Sequence, residues 1–407
     1  MRKAMCAVAA AIAFSAAPAW ATNGIRMIGF GPVQDSMGGV SVGAPLDAAS
    51  VLTNPAGMSQ LGGRIDFGAA IFGATVKASS GIPGTAEVKS DRPPSPIPAF
   101  GLIIPINKDV NFGLGAYGIA GLGVDFAGLF GPSPSLSDVI HTSYSQIRFA
   151  PGLSWKLNDQ FSVGATANLM YGALGLTFAG VSWPETSAFG FGATVGATYK
   201  LSSLTLGVAY ESPGWFQDYK FDASGTTGVT GTPTSIAGVD KLKFNMPMSA
   251  TIGGGYTISD LTIGVDVQWI NWSAEFGKNQ PKFTSIGSGF PVWASMGNSF
   301  DVNWKDQYVF KIGAQYDFKP VTVRVGYNYG SKIVDDTKDA QNIAFPAIAM
   351  HHITAGLGFA FSEKFALNVG GMYSPEVKQT SGPGLIPFQS TVKMTQWDAN
   401  IGISYKM

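Results

Sequence analysis

The chain has 407 residues, 26 basic and 26 acidic side chains, 45% hydrophobic residues and only 13% charged ones. Balanced charge offers no basic face to nucleic acid, and the single cysteine, Cys6, excludes a disulfide framework. Beyond its first residues the chain has no run of about 18 apolar residues and therefore no transmembrane helix. With 53 glycines it is apolar on average but never continuously so, which suits a transmembrane β-barrel.

Residues 1–21, "MRKAMCAVAAAIAFSAAPAWA", have a basic start at Arg2 and Lys3, an apolar run from Met5 to Ala17, and the small-x-small site Ala19-Trp20-Ala21. They are expected to be a secretory signal peptide, with Thr22 as the mature start. Cys6 would leave with it, as would two basic charges.

Residues 22–62 are rich in small side chains and cannot build a core alone. Composition allows two states: a disordered tail, or a plug ordered inside a lumen that supplies its packing. Within it, Pro55 fixes its own φ and disfavours helix at Asn54, so Asn54-Pro55-Ala56-Gly57 reads as a rigid bend.

From Arg64 onward the pattern has period two. The first strand is expected at Arg64–Phe72, and the third at Asn111–Phe126, where Gly113, Gly115, Gly118, Gly121 and Gly123 interrupt it. Phe189–Leu201, Leu261–Trp269 and Val321–Tyr329 each alternate large apolar residues with Gly, Thr, Asn and occasional charges. Trp269, Tyr327 and Tyr405 end apolar faces with aromatics. Lipid outside, a polar lumen inside and aromatic girdles at both interfaces fit this pattern. The sheet must close, because hydrocarbon offers no partner to an open edge.

Short turns are expected near Asn107-Lys108, Asn158-Asp159, Ser202-Ser203, Ser259-Asp260, Lys319-Pro320 and Glu363-Lys364. Longer stretches lie at 77–96, 127–142, 180–187, 212–241, 275–301, 331–348 and 376–389. Alternating short and long connections mark periplasmic turns and outer loops, and the segments between them number about 14. The fold class is therefore all-β: a transmembrane antiparallel barrel of about 14 strands spanning 63–407, preceded by the 22–62 segment.

"GGVSVGAPLDAASVLTNPAGMSQL" resembles the N-terminal hatch of the FadL-type family of outer-membrane transporters for long-chain fatty acids and other hydrophobic compounds. Asp47 and the bend Asn54, Pro55, Ala56 and Gly57 are its most specific part. "GVAYESPGWFQDYKFDASG", "PMSATIGGGYTISDLTIGVDVQWINWS" and "WKDQYVFKIGAQYDF" followed by "VTVRVGYNYG" resemble the family's strands and loops further on. The resemblance implies a hatch inside the lumen, capture of an apolar ligand near the outer loops, and release through a lateral opening at a kinked third strand. Glycines mark bulges in strands, and on this resemblance the kink is expected at Gly118 to Gly121.

A fatty-acid ligand would need a partner for its carboxylate. Arg148, Lys311 and Arg324 fall on the inferred lumen face, as do Asp266, Asp317 and Asp398. Each cation either contacts a headgroup or braces the lumen within a salt-bridge network, and the sequence leaves both open. His141, His351 and His352 lack metal-ligand spacing, and no nucleophile motif stands out. No enzyme activity, metal or cofactor is expected. The expected partners are a hydrophobic small molecule, outer-membrane lipid and lipopolysaccharide, and the outer-membrane barrel assembly machinery, with no nucleic acid and a monomeric state. The rival functions are a water-filled porin and a surface adhesin.

Overall fold

The computed structural model describes residues 22–131, 139–227, 234–292, 297–336, 342–382 and 389–407. The expected signal peptide, 1–21, lies outside the described residues. Fourteen strands form the wall: β1 (Arg64–Ser79), β2 (Ser95–Pro105), β3 (Val110–Phe126), β4 (Ile140–Lys156), β5 (Phe161–Phe178), β6 (Val181–Leu201), β7 (Leu204–Glu211), β8 (Ser249–Ile258), β9 (Leu261–Ile270), β10 (Gln307–Asp317), β11 (Val321–Gly330), β12 (His351–Ala360), β13 (Phe365–Ser381) and β14 (Ser390–Lys406).

Each strand pairs antiparallel with the next, and β14 returns to β1 from Arg64↔Lys406 to Ser79↔Thr391. Closure leaves the sheet without a free end strand. Alternation sorts the two faces. In β9, Ile263 and Val265 are exposed outward, while Asp266 is fully buried inward. Trp397 and Tyr373 face outward toward the long-loop end, and Tyr405 and Phe365 toward the short-turn end. That spacing gives an apolar band with aromatic borders.

All six expected short turns join neighbouring wall strands. The connection expected as a long loop at 180–187 is instead part of β6. Ala179 and Gly180, with φ of 50° and 82°, close a two-residue hairpin between β5 and β6. Two consecutive positive φ values give the turn whose twist matches the flanking strands. Strands also run further than the alternation suggested: β1 continues seven residues beyond Phe72, to Ser79. The connection after β7 is itself ordered. Tyr219–Thr227 and Thr234–Lys243 form a hairpin, and Thr234–Lys243 pairs with Lys282–Ile286 from the connection after β9. This outer sheet roofs a buried cluster of aromatics at the long-loop end.

Candidate functional site

The wall is interrupted between β2 and β3. Their ladder runs from Pro105↔Asn111 to Ala99↔Tyr117 and stops there. Beyond that point β2 still pairs with β1, as far as Phe72↔Ser95. β3 still pairs with β4, but its register slips between Gly118 and Ala120, leaving Ile119 as a bulge. The two strands meet again only through the loop before β2, where Asp91 N–H donates to Asp125 O (2.9 Å) and Asp125 N–H to Ser90 Oγ (2.9 Å). The result is a framed window with Ser95–Pro98 on one side and Gly118–Val124 on the other.

A window would leave β3 backbone groups unpaired in hydrocarbon, at a cost of several kcal/mol each. The N-terminal segment supplies the partners. Met27 N–H donates to Ile119 O (3.1 Å), Gly121 N–H donates to Ile25 O (3.0 Å), and Arg26 bridges Ala120. Gly118 and Gly121, the expected kink residues, thus bracket the bulge and the crossing. On the opposite edge, Pro96 and Pro98 stand at alternate positions without an N–H, as suits a strand lacking a neighbour.

The rest of the segment is seated on inward-facing positions. It contains two short helices, α1 (Gly31–Ser36) and α2 (Ser50–Thr53), and a 3₁₀ turn at Pro55–Gln60. Asn54 is fully buried and caps that turn, its Oδ1 accepting from Ala56 N–H (3.3 Å). Its Nδ2 donates to Val42 O (3.0 Å) and to Ala197 O of β6 (3.3 Å). Glycines make this fit possible. A Cβ at Gly196 would overlap Asn54 Oδ1, and one at Gly164 would strike the backbone at Pro55 and Ala56, 2.5 Å away. Gly57 itself packs against Pro45. Asp47 Oδ1 accepts from Gln34 Nε2 (3.1 Å) and Ala49 N–H (3.2 Å), and burial pushes its carboxyl up to about 7. Asp266 on β9 accepts from the N–H groups of Ser41 (2.8 Å), Val42 (3.0 Å) and Gly43 (3.4 Å). Consecutive amides converging on one carboxylate form an anion nest. Asn328 donates to Gly38 O (3.1 Å), and Thr354 to Ser36 O (3.0 Å).

The three candidate cations separate. Arg148, almost fully buried on β4, forms an ion pair with Glu211 at the end of β7, and Arg26 pairs with the same carboxylate. Glu211 thereby ties the side chain of Arg26, whose backbone crosses the window, to Arg148 of β4 and to β7. Arg324 donates to Gln315 (2.7 Å) and Asn368 (3.0 Å) and faces Asp47 and Asp317. Lys311 stands opposite Asp266 in the ladder and makes no ion pair among the described residues. It lines a recess with Arg26, Glu211, Thr194, Thr251 and Gln268. Of the three, Lys311 is the cation with free capacity for an anionic group.

Above this recess lies a run of buried rings. Tyr144 meets Phe244 (4.8 Å between centroids), Phe244 meets Phe276 (5.0 Å), and Phe276 stacks on Trp304 (4.9 Å), which packs edge-on to Trp272 (5.3 Å). These rings are buried against one another and gain from edge and stacking contacts as well as from burial. The histidines are dispersed. His141, expected in a loop, is the second residue of β4 and lies 3.4 Å from Asp125. His351 meets the Tyr327 hydroxyl (2.6 Å), and His352 is fully buried on β12.

Sequence reasoning missed Arg26, Glu211 and the Pro96/Pro98 edge. Glu211 was within reach: alternation along β7 puts Tyr210 outward and the next residue inward. The two prolines were a direct edge-strand signal. Arg26 was not legible, because its role depends on where the segment folds back.

The sequence model of a family described as outer membrane protein transport protein (OMPP1/FadL/TodX) matches residues 6–381. A long-chain fatty acid transport protein of Escherichia coli O6:H1 is 23% identical over 457 residues, covering 98% of this chain and 97% of that one. Among solved structures, the toluene transporter TodX of Pseudomonas putida superimposes with a TM-score of 0.74 at 18% identity, over 93% of this chain and 99% of its own. A FadL homologue of Pseudomonas aeruginosa does so with a TM-score of 0.72 at 15% identity, over 94% and 99%. At these identities the solved structures establish the shared barrel fold.

Proposed function

Because the chain belongs to the outer membrane protein transport protein family (OMPP1/FadL/TodX), we propose that it takes up hydrophobic small molecules across the bacterial outer membrane and releases them sideways through the window between β2 and β3. The barrel sits in the outer membrane, surrounded by lipid and lipopolysaccharide and inserted by the barrel assembly machinery. Residues 22–62 act as the hatch. A ligand enters through the aromatic cluster at the long-loop end and descends beside the hatch. It leaves where Ile25–Met27 now crosses β3.

The physics favours a side exit. Forcing an apolar molecule through water forfeits about 0.8 kcal/mol per CH₂, whereas the window opens onto hydrocarbon. The observation that carries this reading is the paired crossing of Met27 and Ile25 on Ile119 and Gly121. Removing those two hydrogen bonds opens a path without disturbing the rest of the ladder. The hatch separates this reading from a general porin, which needs an open lumen.

A carboxylate ligand would pause at Lys311 rather than at Arg148, which already forms an ion pair with Glu211, or at Arg324, which already donates to Gln315 and Asn368. Monoaromatic or aliphatic hydrocarbons need none of the three. The function is a channel's and not an enzyme's. The test is uptake of radiolabelled toluene and dodecanol by cells lacking other hydrophobic-compound channels, with and without the protein. Faster entry of either with the protein supports the proposal. Entry of small sugars at porin rates, with no gain for hydrophobic compounds, would overturn it.

A further inference from the structure

Immediately inside the window two carboxyl groups meet with no cation paired to them among the described residues. Asp35, on α1, and Asp398, on β14, are 2% and 6% exposed. Asn400 Nδ2 donates to both, to Asp35 Oδ2 (2.8 Å) and to Asp398 Oδ1 (2.6 Å). The remaining oxygens, Asp35 Oδ1 and Asp398 Oδ2, have no donor among the described residues, and the shared Asn400 amide holds the two carboxyls side by side. Two buried carboxyls so placed cannot both ionise, so they hold one proton between them and keep one negative charge. The lumen's cations act elsewhere: Arg26 and Arg148 pair with Glu211, Arg64 with Asp66, Arg324 faces Asp47 and Asp317, and Lys311 stands opposite Asp266.

Gln396 and Asn400 flank Asp398 along β14, and one side of the pair is apolar. In the ladder Asp398 stands between Phe72 and Met372. Both belong to a cluster with Met27, Ile28, Ala70 and Ile97. Ile97 is on the window's β2 edge. Asp35 and Asn400 line a narrow recess of about 10 Å³ with Met27, Ile97, Tyr117 and Gly118 while the N-terminal segment is seated. A molecule leaving through the window crosses this recess, so it passes the acid pair at short range in a low-dielectric setting, where like charges repel strongly.

Taking the window as the exit, we propose that the Asp35–Asp398 pair is a charge filter that passes uncharged hydrophobic molecules and rejects carboxylates. The substrate class is then neutral hydrocarbons, alcohols and similar compounds. A fatty acid held near Lys311 would stall before the exit while it remains ionised. The pair then gives a use to a charge that faces no cation among the described residues: it acts on the cargo.

The test is initial uptake at pH 7.5 of a matched pair, dodecanol and dodecanoate, by cells making the full-length protein. The wild type is expected to favour the alcohol at least tenfold. Asp35→Asn combined with Asp398→Asn removes the charge while keeping polar groups of the same shape, and should bring the ratio down at least fivefold. The single change Asp35→Asn leaves every wall strand unaltered. It should move the ratio the same way if the double variant fails to assemble as a heat-modifiable barrel. A wild-type ratio near one, or a ratio unmoved in an assembled variant, overturns the filter while leaving the uptake function standing. A wild type that moves neither compound removes the function and the filter together.

Discussion

Met27 donates its backbone N–H to the carbonyl of Ile119, the bulged residue where β3 has lost its partner on β2. With the hydrogen bond from Gly121 N–H to Ile25 O, this bond joins the N-terminal segment to the interruption between β2 and β3. Under the proposed function, release of the segment and opening of the wall are one event.

Straightening β3 should close the exit. Gly118→Val with Gly121→Val favours a regular pleat, because β-branched residues suit a strand and glycine does not. Hydrophobic uptake should fall at least tenfold while the barrel still assembles and still binds a hydrophobic fluorophore in detergent. Normal uptake by an assembled variant would place the exit elsewhere.

Filling a seat should unplug the lumen. Gly196→Ala puts a methyl onto Asn54 Oδ1, which displaces the capped bend and breaks the two hydrogen bonds from Asn54 Nδ2, each contributing about 1 kcal/mol. Replacing Asn54 and Pro55 with Ala and Gly should act on the same bend. Both variants should show stable single-channel conductance in planar bilayers where the wild type shows little. Equal conductance in all three would contradict a seated hatch.

Glu211 holds Arg26 and Arg148 together. Glu211→Gln leaves two buried guanidinium groups without their carboxylate, and breaking a buried pair in this way costs on the order of 3 kcal/mol. The loss should appear locally, as faster hydrogen exchange at Met27 and Gly121 with the wall amides of β10–β12 unaffected. Uniformly faster exchange would mean that Glu211 supports the barrel rather than the crossing.

The hatch should be held more tightly in acid. Burial raises the carboxyl of Asp47 to about 7, with Asp66 adding to it, and that of Asp35 to about 6. An acid whose value is raised in the docked state binds its proton more tightly there than when released. Its contribution is therefore complete below the ordinary aspartate range and is lost as pH rises through 6 to 7. Protection factors across residues 31–53, corrected for intrinsic exchange, should be higher at pH 5 than at pH 8. Asp47→Asn should flatten the difference. Protection that rises with pH would contradict the assignment.

Much of this architecture was legible because a barrel in lipid obeys a strict period. Once Ile263 and Val265 face hydrocarbon, Asp266 must face the lumen, and the same logic placed Arg148, Lys311 and Arg324 correctly. The glycines of β3 were legible only in part. Gly118 and Gly121 flank the bulge, but Gly113 and Gly115 serve another purpose, leaving room for Met58 and Leu52 of the segment. Both uses look alike in sequence. The connection expected at 180–187 was hidden because Ala179-Gly180 makes a tight hairpin without the usual Asn or Asp. The pairing of Asp35 with Asp398, 363 positions apart, depends on how a segment with no core of its own lies against a wall made much later in the chain.

The most direct test is to bridge the window. The sequence has no cysteine beyond Cys6, so cysteines placed at Pro98 and Gly121 would be the only thiols of the mature protein if residues 1–21 are removed. Joining them in intact cells with a short reducible crosslinker should stop uptake of labelled dodecanol, and reducing the linker should restore it. Each single-cysteine variant treated with the same reagent should continue to transport. Full uptake with the window bridged would contradict lateral release.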